Sequence, residues 1–375
     1  MVARPSTYEK FYVARVQSVA RSLKLTDPAA EARKERRVEY LVKRGEDELS
    51  ERRPDLAFGT FTEAVEIARE DKDGHWEASA LLSRSRARHT MGDPDAAMED
   101  AVRALELFEK AGDRKNMAVA FSAIGALHAR TGQFGVAEHF LREALTAASD
   151  IDDKNLMAKA HLELGVCMLE QGRLNEALAQ FRQAIVAHKN AGAGPEVLEM
   201  VLVYKKMAEV FKRKDDHTAA VYYLTKAEEA ARLGGHSAIH ARILAYLAES
   251  LVHIGNVDRA QAHLQEGLEV LTVRNDHQGM MTALRVKGLL HRRLHDYETA
   301  RDYLDESLRM AREIVSQPGE VMTLLEMARL DSDQGRSGEA LKRLGEAEVL
   351  CKTPPTLRLK SEVLKLKNDI ERQAG

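Results

Sequence analysis

The feature that most constrains this chain is an alanine that returns at a fixed interval. It stands at Ala57, Ala97, Ala137, Ala177, Ala220, Ala260, Ala300 and Ala340, 40 residues apart except for a single interval of 43. Twelve residues before each anchor lies Gly45, Ser85, Gly125, Gly165, Ala208, Ala248, Gly288 or Ala328, and seven after it Ala64, Ala104, Ala144, Ala184, Ala227, Gly267, Ser307 or Ala347. All of these are small. Four residues past the anchor stand Phe61, Ala101, Leu141, Phe181, Leu224, Leu264, Leu304 and Leu344, all apolar. Self-similarity at such a period marks a repeat array, in which each unit buries its apolar face only against its neighbours.

Each unit reads as a helical hairpin. One small residue on the first helix and two on the second let the axes approach, and the residue between the latter two fills the space. Gly92, Gly132, Gly172, Gly255 and Gly335, with Asp215 in the fifth repeat, stand five residues before the anchor and predict the end of the first helix. Turn formers also mark the joints between units, as in Lys72-Asp73-Gly74, Ala111-Gly112-Asp113 and Leu233-Gly234-Gly235. Composition agrees: aromatics are only 5%, and eight prolines in 375 residues leave room for many uninterrupted helices.

This order of small, small, large and small residues resembles the tetratricopeptide repeat, most completely in GVCMLEQGRLNEALAQFRQA from Gly165 to Ala184. The resemblance implies an all-α fold, a right-handed superhelical α-solenoid of eight tetratricopeptide-like helical hairpins with terminal capping helices. It divides the chain into an amphipathic capping segment at 1–37, the repeats at 38–350 and a C-terminal capping helix at 351–375. The proline that often closes a 34-residue repeat is missing, and the longer period of 40 implies longer helices. In this the chain is similar to the Pins/LGN-type polarity adaptors and the bacterial Rap-type regulators, which are adaptors or peptide-regulated sensors.

Both ends suit a solenoid cap. Tyr8, Tyr12, Val16, Val19 and Leu23 form a helix face before Asp27, an N-cap ahead of Pro28, although the same Arg- and Ser-containing stretch also has the composition of a transit peptide. Beyond Pro354 and Pro355, Thr356 opens a charged helix carrying Leu357, Val363, Leu364 and Ile370. The irregular interval comes from three extra residues around 189–195, read as a loop insertion or as a hinge.

Several classes of function lose support at this level. The net charge is −3, from 56 basic and 59 acidic residues, so nothing global points to nucleic acid or a membrane surface. No stretch approaches the ~18 apolar residues of a membrane span. Cys167 and Cys351 form no CxxC pattern, which excludes a thiolate zinc site and fits a reducing, cytoplasmic setting. Phosphate-loop, dinucleotide, HExxH and GxSxG motifs are all missing, so no catalytic residue, cofactor or metal is expected. The nearest metal pair, His291 and His295, is set aside because both fall on packing or turn positions beside Arg292 and Arg293.

What remains is a partner surface. The resemblance places the first helices on the concave side, and in repeats five to seven the inward positions include Lys205, Lys206, Lys212, Arg213, Arg242, Arg285, Arg292 and Arg293 against Glu209 and Glu249. That is eight basic residues to two acidic, whereas repeats one to four balance Lys43, Arg86, Arg130 and Lys159 against Glu39, Glu46, Glu163 and Glu170. A basic concave strip favours an anionic guest, with acid displaced outwards and Tyr246 and Leu289 as apolar contacts. The expected function is therefore an interaction scaffold that holds an acidic peptide or helix along repeats five to seven. The alternatives are a Rap-like peptide-responsive regulator and a structural part of a cytoskeletal or ciliary assembly.

Overall fold

A computed structural model describes residues 28–51, 53–192, 194, 198–352, 356 and 358–374. The N-terminal helix face at 8–23 and the proline break at 353–355 lie outside these residues, as does part of the 189–195 insertion. Among the described residues there are seventeen helices and no strand. In chain order they are α1 (Pro28–Ser50), α2 (Pro54–Glu70), α3 (Gly74–Thr90), α4 (Pro94–Ala111), α5 (Arg114–Arg130), α6 (Phe134–Asp150), α7 (Lys154–Glu170), α8 (Leu174–Asn190) and α9 (Leu198–Arg213). They continue as α10 (His217–Leu233), α11 (Ser237–His253), α12 (Val257–Val273), α13 (His277–Arg293), α14 (Tyr297–Glu313), α15 (Gln317–Asp333), α16 (Ser337–Leu350) and α17 (Lys360–Ala374). Odd-numbered helices up to α15 carry the first small residue of each repeat, and even-numbered ones carry the anchor alanine.

The backbone repeats with the sequence. Left-handed residues end the first helices at Gly92, Gly132, Gly172, Asp215, Gly255, His295 and Gly335, and the second helices at Lys72, Gly112, Asp152, Gly192, Gly235, Asn275 and Val315. This conformation lets the amide three residues past a helix close back on its last turn, as Arg173 N–H does onto the Met168 carbonyl at 2.9 Å. Where a side chain caps the next helix it belongs to an aspartate or a serine, for instance Asp153 on the amides of Asn155 and Leu156.

The chain forms two compact units, one ending at Leu127 and the other beginning at His128. In the first, α1, α2, α3 and α4 pack in sequence and α1 also touches α3. Ala57 and Ala97 are fully buried, and a Cβ at Gly45 would lie 2.5 Å from the Phe61 ring. Where the small residue is Ser85, its hydroxyl donates to the Ala97 carbonyl at 2.7 Å.

In the second unit the same contacts recur. A Cβ at Gly165 would lie 2.5 Å from Phe181, and one at Gly288 would lie 2.5 Å from Leu304, so glycine is what lets each of these knobs seat. One apolar core runs through α9–α13, from Val201 to Leu290. A second joins Leu344, Ala347 and Cys351 to Val363 and Ile370, which cover the end of the last repeat with α17. The first helices touch one another as well, α7 on α9, α11 on α13 and α13 on α15, and so form one face of the unit.

Candidate functional site: a charged cavity of the second unit

That face borders an open cavity of about 1170 Å³. The end of α7 supplies Glu170, and α9 supplies Lys205, Lys206, Glu209, Lys212 and Arg213. From α11 come Tyr246, Glu249 and His253, from α13 Arg285, and from α15 Leu325, Glu326 and Arg329. Arg358 and the α17 residues Glu362, Lys365 and Asp369 also line it, as do Leu174, His217 and Leu224 from the second helices. Arg358 donates to Glu209 at 2.8 Å and to Glu170 at 3.1 Å, so the chain beyond the last repeat returns to the fourth and fifth.

Six of the ten residues expected at a groove meet here: Lys205, Lys206, Lys212, Arg213, Tyr246 and Arg285. The other four do not. Leu289, expected as an apolar contact, is only 1% exposed inside the core of α9–α13 and has no surface to offer a guest. Arg242 binds Asp276, the N-cap of α13, with Nη2 to Oδ1 at 2.8 Å. Arg292 is turned to Asp333 at 2.7 Å and Glu326 at 3.7 Å, and Arg293 is exposed at the end of α13 without lining the cavity. His291 and His295 also part company, the first on Asp296 at 3.0 Å and the second on the Tyr297 hydroxyl at 2.8 Å.

The expectation that acid is displaced outwards fails for this cavity. Glu249 sits between Lys212 and Arg285, with Arg285 Nη1 at 2.7 Å, while Glu209 receives Lys206 at 2.9 Å and Arg213 at 3.1 Å. Burial opposes the charged form of Glu249, but Arg285 and Lys212 outweigh it and hold the carboxyl well below the usual range. The same opposition at Glu209, resolved by Lys206, Arg358 and Arg213, leaves it lowered to about 2. Lys205 has no such partner among the described residues; its ammonium lies 5.7 Å from the centre of the Tyr246 ring, and burial together with Lys206 lowers its pKa. At one edge His217 and His253 stack with centroids 4.0 Å apart, and burial with their mutual repulsion pushes His253 down to about 4.

The inward charges continue into the eighth repeat. Glu326 and Arg329 stand two before and one after Ala328, the register that Lys206 and Glu209 hold around Ala208 and Tyr246 and Glu249 around Ala248, so they were visible in principle. Arg358 was not, because it meets Glu170 and Glu209 from 188 and 149 residues away and belongs to no repeat.

Comparison with known proteins bears on the fold. The tetratricopeptide-repeat family model matches residues 116–189 and 279–351, and a model for anaphase-promoting complex subunit 5 matches residues 52–82. No curated protein matches the chain in sequence. Among solved structures, the apo form of the quorum sensor NprR from B. thuringiensis is similar with a TM-score of 0.65 at 12% identity, covering 92% of this chain and 95% of that one. The Rap conjugation gene regulator of the plasmid pLS20, in complex with the Phr* peptide, gives a TM-score of 0.59 at 15% identity over 89% of this chain and 96% of that one. A signal transduction ATPase with a tetratricopeptide repeat sensor from Pyrococcus horikoshii gives 0.61 at 15% identity, covering 93% of this chain but 50% of its own. With the recurring small residues, paired helices and left-handed turns, these matches identify the chain as a tetratricopeptide-repeat protein.

Proposed function

We propose that this chain is a protein-interaction adaptor that holds an extended, acidic peptide segment in the cavity of its second unit. The observation that carries the reading is the cavity itself, bordered by the first helices of successive repeats and lined by charged groups around Tyr246. A surface of this kind offers a polypeptide both an apolar contact and hydrogen-bond partners along its length. The adaptor reading treats Lys205, Lys206, Lys212, Arg213 and Arg285 as guest-facing, with Tyr246 as the apolar contact.

A second reading is favoured by one comparison. The similar pLS20 regulator is described in complex with a peptide, so a peptide-responsive regulator uses the same cavity but answers its guest with a change in the repeats. The two readings share a test. Random decapeptides displayed on phage are selected on the full chain, and the winners are titrated against wild type, Tyr246→Ala and the first-unit control Arg86→Glu. Loss of affinity in Tyr246→Ala alone is expected. Equal binding to all three proteins would place the peptide outside this cavity.

A further inference from the structure

One joint between repeats is built differently from the rest. Eleven residues past the anchor alanine, seven of the eight copies carry Ala, Phe, Leu or Cys, and the fourth carries His188; all eight are buried. This position faces the first helix of the next repeat, as Leu271 shows, since a Cβ at Gly279 of α13 would lie 2.3 Å from it. The register facing it, nine residues before the small residue of the next repeat, is uncharged at six joints and Glu199 at this one. It is also the joint with the interval of 43. His188 is 2% exposed, and neither ring nitrogen has a hydrogen-bond partner among the described residues. An apolar side chain fills the position elsewhere, so packing alone does not call for an imidazole, and an unpaired buried polar group is costly. Two charged groups act on it, Glu199 from α9 and Lys159 from α7, and these pair with each other at 3.7 Å.

We propose that His188 makes the joint between repeats four and five a proton-responsive hinge inside the second unit. Neutral, the imidazole packs as the apolar residues of its register do. Protonated, it is a buried cation whose facing carboxylate, Glu199, is already engaged with Lys159, so the joint must loosen until the charge reaches Glu199 or water. Burial is the first cause that lowers the proton affinity of His188; Glu199 opposes it and Lys159 adds to it. The open joint, where histidine titrates near its ordinary ~6.5, therefore takes up the proton before the closed one. Closure is fully favoured above pH ~6.5 and weakens by up to about tenfold per pH unit as pH falls towards the depressed value. The joint carries one edge of the cavity, because α7 ends at Glu170, which meets Arg213 at 3.7 Å and Arg358 at 3.1 Å. Acidification then acts on that edge whether or not a guest is present.

Hydrogen exchange of the full chain, corrected for the intrinsic pH dependence of amide exchange, is compared at about pH 7.5 and about pH 5.5 for wild type and His188→Phe. Phenylalanine is what the second repeat uses at this position, as Phe108. On acidification wild type should lose protection, by up to about tenfold, in the last turns of α8 and the first turns of α9. The joint of α12 and α13, with Leu271 in place, should keep its protection, and His188→Phe should keep it at both joints. Equal losses in wild type and His188→Phe, or no loss at this joint in wild type, would overturn the hinge. An NMR titration of the imidazole keeps the test independent of how His188→Phe folds. His188 should titrate below the ordinary histidine value in wild type and lower still in Glu199→Gln, which removes the carboxylate that favours its charge. A midpoint at the ordinary value, or one unmoved by Glu199→Gln, would overturn the hinge as well.

Discussion

At the scale of single residues, the repeat is enforced by volume. Gly165 faces Phe181 where a Cβ would come within 2.5 Å of the ring, so Gly165→Ala should destabilise the second unit by ~1–3 kcal/mol, read from denaturant unfolding. Phe181→Leu should restore part of that loss in the double variant; strictly additive losses would mean the two side chains do not compete for one space. The small and large positions were legible because each is set by a steric limit that recurs in the sequence. Left-handed turns were legible where glycine filled them and at Asp215, which stands in the glycine register. Val315 was not, since a β-branched residue at φ 53° contradicts its own preference and only the register of the neighbouring joints places it there. Val315 is 83% exposed, so Val315→Gly gives up little burial and should raise stability by about 1 kcal/mol. A fall in melting temperature would show that the joint does not hold this conformation.

Between elements, buried polar contacts decide more than the surface pairs do. Asp331 near the end of α15 is fully buried and receives Arg301 from α14, Arg336 from the turn at 3.0 Å and Arg343 from α16 at 2.6 Å. Removing it takes from three guanidinium groups the one buried carboxylate they share, so Asp331→Ala should cost ~3–5 kcal/mol, whereas Arg358→Ala, which breaks partly exposed pairs, should cost ~1 kcal/mol or less. Thermal unfolding of the two variants side by side checks the order. A pH effect belongs to the contact between the start of α10 and the end of α11, where His217 stacks on His253. His253 titrates near 6.5 when unfolded and is pushed down to about 4 in the fold by burial and by His217, so the unfolded chain takes up its proton first. Its contribution is complete above pH ~6.5 and is lost as pH falls towards 4. Unfolding midpoints of His253→Gln should therefore depend less on pH across that window than those of wild type; identical slopes would contradict it. None of these contacts follows the period of the repeat, which is why sequence spacing could place the helices and not their polar partners.

For the whole molecule, the number of repeats and the pairing of helices were readable because they rest on one period kept through eight copies. The site was readable only in part. Position along a helix predicts which residues turn inward, as Lys205, Tyr246 and Arg285 do, but not which of them a carboxylate from another repeat already holds. The reversal to Glu at 285 and 292 that charge counting alone suggests would bury new carboxylates against Glu249 and Glu326, and would test folding instead of binding. Hydrogen exchange avoids that ambiguity. A decapeptide selected on the full chain is added at saturation, and amide protection is compared with and without it. Protection should rise along α9, α11 and α13 and stay unchanged in α2 and α4 of the first unit; a rise confined to α2 and α4, or to the second helices of the repeats, would contradict a guest held in this cavity.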